Sequence, residues 1–167
     1  QSGQGADEVF AGYFWYPKMV AETEQDPLKR FAKHYFDRPH EEWLEAFTPK
    51  YHTENIAGEY IREHLTRPGA DTFLDQVLRL DVTRLVVDDP VKRVDNMTMA
   101  HGLEARMPFM DQRLVELAMA LPPEYKLSHH GKGILKEIAR GRVPDSIIDR
   151  PKAYFPMPAL KYVRGEF

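Results

Sequence analysis

The stretch Ser2-Gly3-Gln4-Gly5-Ala6-Asp7-Glu8 organises the reading of this chain. Two glycines flank one polar residue, and two carboxylates follow at once. Glycine permits φ > 0 and lets a ligand approach the main chain closely. Val9, Phe10, Tyr13 and Phe14 follow as an amphipathic run, so a helix is expected to open near Ala6. A Gly-rich turn at such a point offers unpaired N–H groups to an anion. Asp7 and Glu8 suit the helix dipole but repel a bare phosphate. A Mg²⁺ ion shared between carboxylate and phosphate removes that conflict. The same residues also suit a capped helix start with a flexible entry, and spacing alone leaves both readings open.

The 167 residues suffice for one domain. At 43% hydrophobic and 29% charged, the composition is that of an ordinary soluble protein, expected in the cytoplasm. A net charge of −3 gives no field to hold nucleic acid, and no apolar run reaches membrane-spanning length. The absence of cysteine excludes disulfides, thiolate metal sites and a cysteine nucleophile within these residues. A Gly-rich turn of this kind normally follows a strand in α/β proteins. Its place at residue 2 therefore leads to the expectation of a fragment whose preceding strand is missing.

Outward from the motif, periodicity predicts a mainly helical fragment. A first helix is expected from near Ala6 to Glu24, kinked or split at Pro17. Asp26-Pro27 opens a helix to about Phe36. Another short one starts at Pro39-His40, with Trp43, Leu44 and Phe47 inward. Thr53 is a fair cap for Glu54 to Thr66, whose stripe is Ile56, Tyr60, Ile61 and Leu65. Asp71 or Thr72 caps a long buried helix through Val86 that ends near Asp88-Asp89-Pro90. A new helix then carries Arg93, with Met97 and Met99 as core fillers, and Gly102 closes it. Leu103 to Met107 reads as extended. Asp111 caps Gln112 to Leu121, with Leu114, Val115, Leu117, Ala118 and Leu121 inward. Shorter helices are expected over Lys132–Arg140 and Pro144–Ile148, and around Ala159–Val163. His34, His40, His52 and His64 are spread out and read as surface or structural residues.

Few ionisable residues sit where chemistry is expected. Arg93 and Asp95 lie beside Met97 and Met99, and Glu104 and Arg106 flank Ala105. The latter two read as an ion pair that pins the extended strip. Lys152, in Arg150-Pro151-Lys152, stands in a stiff loop where a lysine acts as a point-charge phosphate clamp or as an ordinary solvated residue.

The order of the pieces is more telling than any one of them. Ser2 to Glu8 followed by Gly12-Tyr13, the run Arg93-Val94-Asp95-Asn96-Met97-Thr98-Met99-Ala100 continuing through Gly102-Leu103-Glu104-Ala105-Arg106-Met107-Pro108-Phe109-Met110-Asp111, and Arg150-Pro151-Lys152 resemble, in this order, motifs of the asparagine synthase family. The resemblance is to the C-terminal, ATP-using synthetase domain. It implies that the fragment is the helical C-terminal part of an α/β pyrophosphatase-loop fold of the adenine nucleotide hydrolase-like type. It implies ATP and Mg²⁺, a small-molecule carboxylate activated as an acyl-adenylate, and ammonia from a glutaminase domain elsewhere in a full-length chain. Carried over residue by residue, Ser2, Gly3 and Gln4 lie along the nucleotide and Asp7 matches a Mg²⁺ ligand. Lys152 matches the lysine facing the α-phosphate and the leaving pyrophosphate, and Arg93 lies near the substrate carboxylate. Asp7 and Lys152 must then face one cleft.

The family's first nucleotide loop, Ser-Gly-Gly-x-Asp-Ser, is absent, as is its cysteine-first glutaminase domain. Gln4 stands where asparagine synthetases carry Glu. With Phe14-Trp15-Tyr16-Pro17 and the tail from Tyr154 to Tyr162, it looks like the branch that amidates acetylated glutaminylglutamine. The rival reading is a non-catalytic helical regulatory or docking module of the same descent. Apolar surface left uncovered where a sheet would pack is expected to drive aggregation or homodimer formation. The purified 167-residue chain is expected neither to hydrolyse glutamine nor to form an amide. Glutamate release or amide formation above a protein-free blank would overturn this.

Overall fold

Three short polar side chains fix three helix starts. Asp26 accepts from the Lys29 N–H at 2.9 Å, Thr72 from Asp75 at 3.1 Å, and Asp111 from Arg113 at 3.0 Å. Each satisfies an N–H that the first helical turn leaves without a partner. The structure is a computed structural model that describes residues 1–151. Its elements are α1 (Ala6–Val9), α2 (Trp15–Ala21), α3 (Pro27–Tyr35), α4 (His40–Glu45), α5 (Ile56–Thr66), α6 (Phe73–Leu80), α7 (Lys92–Met99), α8 (Gln112–Met119), α9 (Pro123–Leu127), α10 (Gly133–Ala139) and α11 (Asp145–Ile148). No strand occurs among the described residues. The chain divides into two units, Gln1–Leu135 and Lys136–Phe167.

In the first unit α6 is the central element. Leu74, Val77, Leu78 and Leu80 are buried against Ala11, Tyr16, Met19, Phe31 and Leu65. A second cluster gathers Val9, Phe10 and Ala118, with Val82, Phe109, Met110, Leu114 and Val115 around it. Arginines close the ends that small polar residues leave open. Arg30 donates to the Met19 and Val20 carbonyls at the end of α2, and its guanidinium lies 4.1 Å from the Phe73 ring centroid. Arg79 reaches the carbonyl of His64 in the last turn of α5 and those of Arg67 and Pro68 just beyond it. Arg62 joins α5 to the Asp26 cap at 2.8 Å. His64 is buried and structural, bonded to the Tyr60 carbonyl and to Arg84.

Several expectations are corrected. The first helix breaks between Phe10 and Phe14, not at Pro17, which sits in the first turn of α2 where its missing N–H costs nothing. Asn55, not Thr53, caps α5. The helix from Phe73 does not stop at Asp88-Asp89-Pro90. It widens into π-helical turns at Asp81–Leu85 and Val87–Val91 and runs on into α7. The Val86 N–H reaches back five residues to the Asp81 carbonyl. Widened turns take Pro90 into the helix by relaxing the close i−4 packing that a proline ring disrupts. Met97 and Met99, read as core fillers, are exposed beyond those turns. Trp43, Phe47, Ile56, Tyr60 and Leu117, all expected inward, are exposed too. Periodicity marks which helix face is apolar, not whether anything covers it. In the second unit, Arg140 at the end of α10 bridges Asp145 and Asp149 at 2.8 and 2.7 Å, folding the chain around α11. The expected helix around residues 159–163 lies outside the described residues.

Two acid–phenol pairs bind the opening segment into the core. The Tyr16 hydroxyl donates to Asp81 Oδ2 and the Tyr13 hydroxyl to Glu8 Oε1, both at 2.6 Å. Burial, with the nearby Glu8 carboxylate, pushes Asp81 up to about 7 even though the Tyr16 hydrogen bond favours its charge. The Tyr13 and Tyr16 hydroxyls are pushed well above the usual phenol range, chiefly by burial. Asp81 keeps its proton in the fold up to about pH 7, whereas an unfolded aspartate loses it near pH 4. Between those values the unfolded chain binds fewer protons, so stability falls as pH rises and levels off above about 7. Asp81→Asn, whose carbonyl still accepts from Tyr16, is expected to flatten that slope. It should gain stability near pH 8 and change little near pH 4.5. Urea midpoints at the two pH values check this, and an unchanged slope would refute it.

Candidate functional site

The opening loop is built from inside the chain. The Ser2 N–H donates to the Arg106 carbonyl at 2.8 Å, which lays the loop along the extended strip before Pro108. Gln4 N–H points to Ser2 Oγ at 3.4 Å, and the Ala6 N–H to the Gly3 carbonyl at 3.4 Å. Gly5 has φ +91°, and a Cβ there would lie 2.4 Å from Met110 Sδ. This glycine is required by conformation and by packing at once. Gly3 is different, because a Cβ there would meet nothing within 4 Å among the described residues. α1 is a single turn, so its dipole is small and the charge at this site comes from side chains.

Asp7 and Glu8 separate in role. Glu8 is buried and bonded to Tyr13, whose ring stacks on Trp15 at 4.2 Å. Asp7 Oδ1 meets Lys132 Nζ at 2.9 Å, with their side chains 24% and 31% exposed. Lys132 was not among the residues expected from sequence. Its place between Gly131 and Gly133 was the one available signal. The Lys132 N–H donates to the Phe10 carbonyl at 2.9 Å, and a Cβ on Gly131 would lie 2.4 Å from the Ala11 carbonyl oxygen. A Cβ on Gly12 would lie 2.2 Å from both Asp7 Oδ1 and Lys132 Cε.

The other expected residues fall in different places. Ser2, Gly3, Gln4 and Asp7 share the loop and α1. Arg93 is exposed on α7 and bonds Asp89 one turn back. Glu104 and Arg106 do pair, at 2.9 Å, but with side chains 66% and 73% exposed the pair adds little to stability. The strip is held by its backbone instead. A cavity of about 400 Å³ lies between this strip and the start of α7, lined by Val91, Asp95, Arg106, Met107 and Met110 among others. Lys152 lies outside the described residues, so its expected convergence with Asp7 stands as an expectation.

The profile of the asparagine synthase family matches residues 1–167. The chain belongs to the asparagine synthase family. Among relatives, asparagine synthetase [glutamine-hydrolyzing] 1 of Bacillus subtilis is 26% identical over 99% of this chain and 31% of its own length. Asparagine synthetase [glutamine-hydrolyzing] 3 of the same organism is 31% identical over 93% of this chain and 26% of its own. The human asparagine synthetase [glutamine-hydrolyzing] is 41% identical over 39% of this chain and 12% of its own. The chain thus spans less than a third of the length of the two bacterial relatives. No solved structure matches it. No helix among the described residues is long and apolar enough to cross a membrane.

Among the described residues no group of three or more His, Cys, Asp or Glu side chains gathers to hold a metal. Asp7 supplies one carboxylate, the donor type that Mg²⁺ takes when phosphate oxygens and water complete its shell; its Oδ1 carries the Lys132 ammonium, which a metal bound there would displace. Gly5→Ala is expected to destabilise the protein by more than about 1 kcal/mol, from the left-handed backbone and the Met110 clash. Gly3→Ala is expected to stay within about 0.5 kcal/mol of the native chain. Denaturant unfolding of the two variants separates the glycine that serves the fold from the one that does not.

Proposed function

We propose that this chain forms part of the synthetase half of a glutamine-dependent carbon–nitrogen ligase. In this reading a substrate carboxylate attacks the α-phosphorus of ATP, pyrophosphate leaves, and ammonia then displaces AMP to give an amide. The observation that carries it is the family match over every residue, joined to an Asp7 carboxylate held at the surface against a cation. Ser2, Gly3 and Gln4 lie along the nucleotide, and the space that the described residues leave at Gly3 makes its backbone accessible to phosphate oxygens. Asp7 holds Mg²⁺, which when bound withdraws negative charge from the phosphates. Lys152 stabilises charge on the α-phosphate and the leaving pyrophosphate, and Arg93 attracts the substrate carboxylate.

Gln4 bears on the choice of acyl substrate. A glutamate at that position can take a proton from ammonium, whereas a neutral amide only hydrogen-bonds. Together with Phe14-Trp15-Tyr16-Pro17, it favours an acetylated glutaminylglutamine substrate over aspartate.

Carboxylate-dependent exchange of pyrophosphate into ATP by the full-length protein is the direct test. Exchange is expected with the acetylated dipeptide and to be weak with aspartate. The reverse preference would remove the substrate assignment but not the reaction. Lys152→Met is expected to lower kcat by about 10²–10³-fold, the usual effect of removing one electrostatic stabiliser. Asp7→Asn is expected to abolish the exchange. Native exchange rates in both variants would return the chain to the docking-module reading.

A further inference from the structure

The backbone around Lys132 is more constrained than an ordinary surface ion pair requires. His129, His130, Gly131 and Lys132 all have positive φ, at 54°, 63°, 100° and 56°. Ala11, on the facing loop, has φ 53°. Non-glycine residues held there cost about 1–3 kcal/mol each and persist only where the surroundings over-determine them. Here the surroundings are explicit. Gly131 lets one loop press on the Ala11 carbonyl, the Lys132 N–H bonds Phe10, and Gly12 leaves the space that Lys132 Cε and Asp7 Oδ1 share. The product is the Lys132 ammonium placed on Asp7 Oδ1 at 2.9 Å, in a pair still partly open to solvent. Such a pair contributes about 1 kcal/mol or less, so stability alone does not account for five left-handed residues.

We infer that Lys132 is a positioning residue for the Asp7 cation site: its ammonium occupies the carboxylate in the ligand-free protein, so that the site refuses a free divalent cation and accepts one that arrives on a polyphosphate. This rests on the proposed role of Asp7. The ammonium and a divalent cation compete for the same carboxylate and repel each other. A free cation gains Asp7 only by stranding Lys132 beside a second positive charge. A cation carried on a polyphosphate brings anionic oxygens with it, and the released ammonium transfers to them. The flexible four-carbon stem of lysine permits that exchange without moving the strained backbone.

The test reads cation binding, not turnover. Free Mn²⁺, a spectroscopically visible substitute for Mg²⁺, is titrated by electron paramagnetic resonance into the nucleotide-free, full-length protein, and then with a non-hydrolysable ATP analogue present. Lys132→Met is expected to bind free Mn²⁺ about fivefold tighter, the factor that corresponds to a lost pair of about 1 kcal/mol. It is expected to bind the Mn²⁺–analogue complex more weakly than the native protein. Lys132→Gln, which has a shorter stem and keeps a hydrogen-bond donor but drops the charge, should shift both affinities in the same directions. A residue that merely clasped the two loops would lower free Mn²⁺ affinity when removed, so unchanged or weaker binding of free Mn²⁺ in both variants overturns the inference. Asp7→Asn separates this from the underlying reading. If it leaves Mn²⁺ binding intact, the cation role of Asp7 is wrong. If it abolishes binding while the Lys132 variants show no gain, only the placeholder role falls.

Discussion

The hydrogen bond from Tyr16 to Asp81 spans 65 positions of sequence and is buried at both ends. It fixes α2 against the point where the central helix leaves α geometry. Phe31, Leu65, Leu74 and Val77 pack in the same cluster as Tyr16, and the neighbouring Tyr13–Glu8 bond ties α1 to the same aromatic group. With Glu8 held inward, its neighbour Asp7 is left toward solvent and Lys132. The chemistry proposed for Asp7 thus begins with a buried partner for the carboxylate beside it.

This arrangement carries charge in a costly place. Asp81 and Glu8 are both nearly fully buried, and neither faces an opposite charge in the bonds described. Phenol hydroxyls satisfy their oxygens without supplying a countercharge, so one of the two acids keeps its proton into the neutral range. Lys126 is the converse case, fully buried but joined to Asp75 at 3.3 Å. Asp75 also accepts from the Thr72 hydroxyl, so one side chain helps to cap α6 and to neutralise a buried lysine.

What could be read in the sequence was local. Asp26, Thr72 and Asp111 announce helix starts because a side-chain oxygen two or three residues before a bare N–H acts over a few ångströms and needs no tertiary context. The family motifs were legible for the same reason, being contiguous runs of residues. Arg30 and Arg79 were not legible, because the carbonyls they cover lie ten or more residues away and any surface arginine looks alike in sequence. Lys132 was missed because its partner Asp7 is 125 positions distant, and only the fold brings Gly12 between them. Pro90 misled because a stop signal in an α-helix is not one in a wider turn.

Those wider turns govern direction as well as continuity. A helix acts as a screw, and each residue added to a turn advances everything downstream by about 100° around the axis. Two successive enlargements before Lys92 swing the following segment by roughly half a revolution from the bearing that uniform α winding would give. The compass heading of Arg93 is therefore dialled in by Asp81–Leu85 and Val87–Val91 rather than by its own neighbours. Shortening that span by a single residue would turn the guanidinium through more than a quarter circle while leaving the local sequence around it untouched.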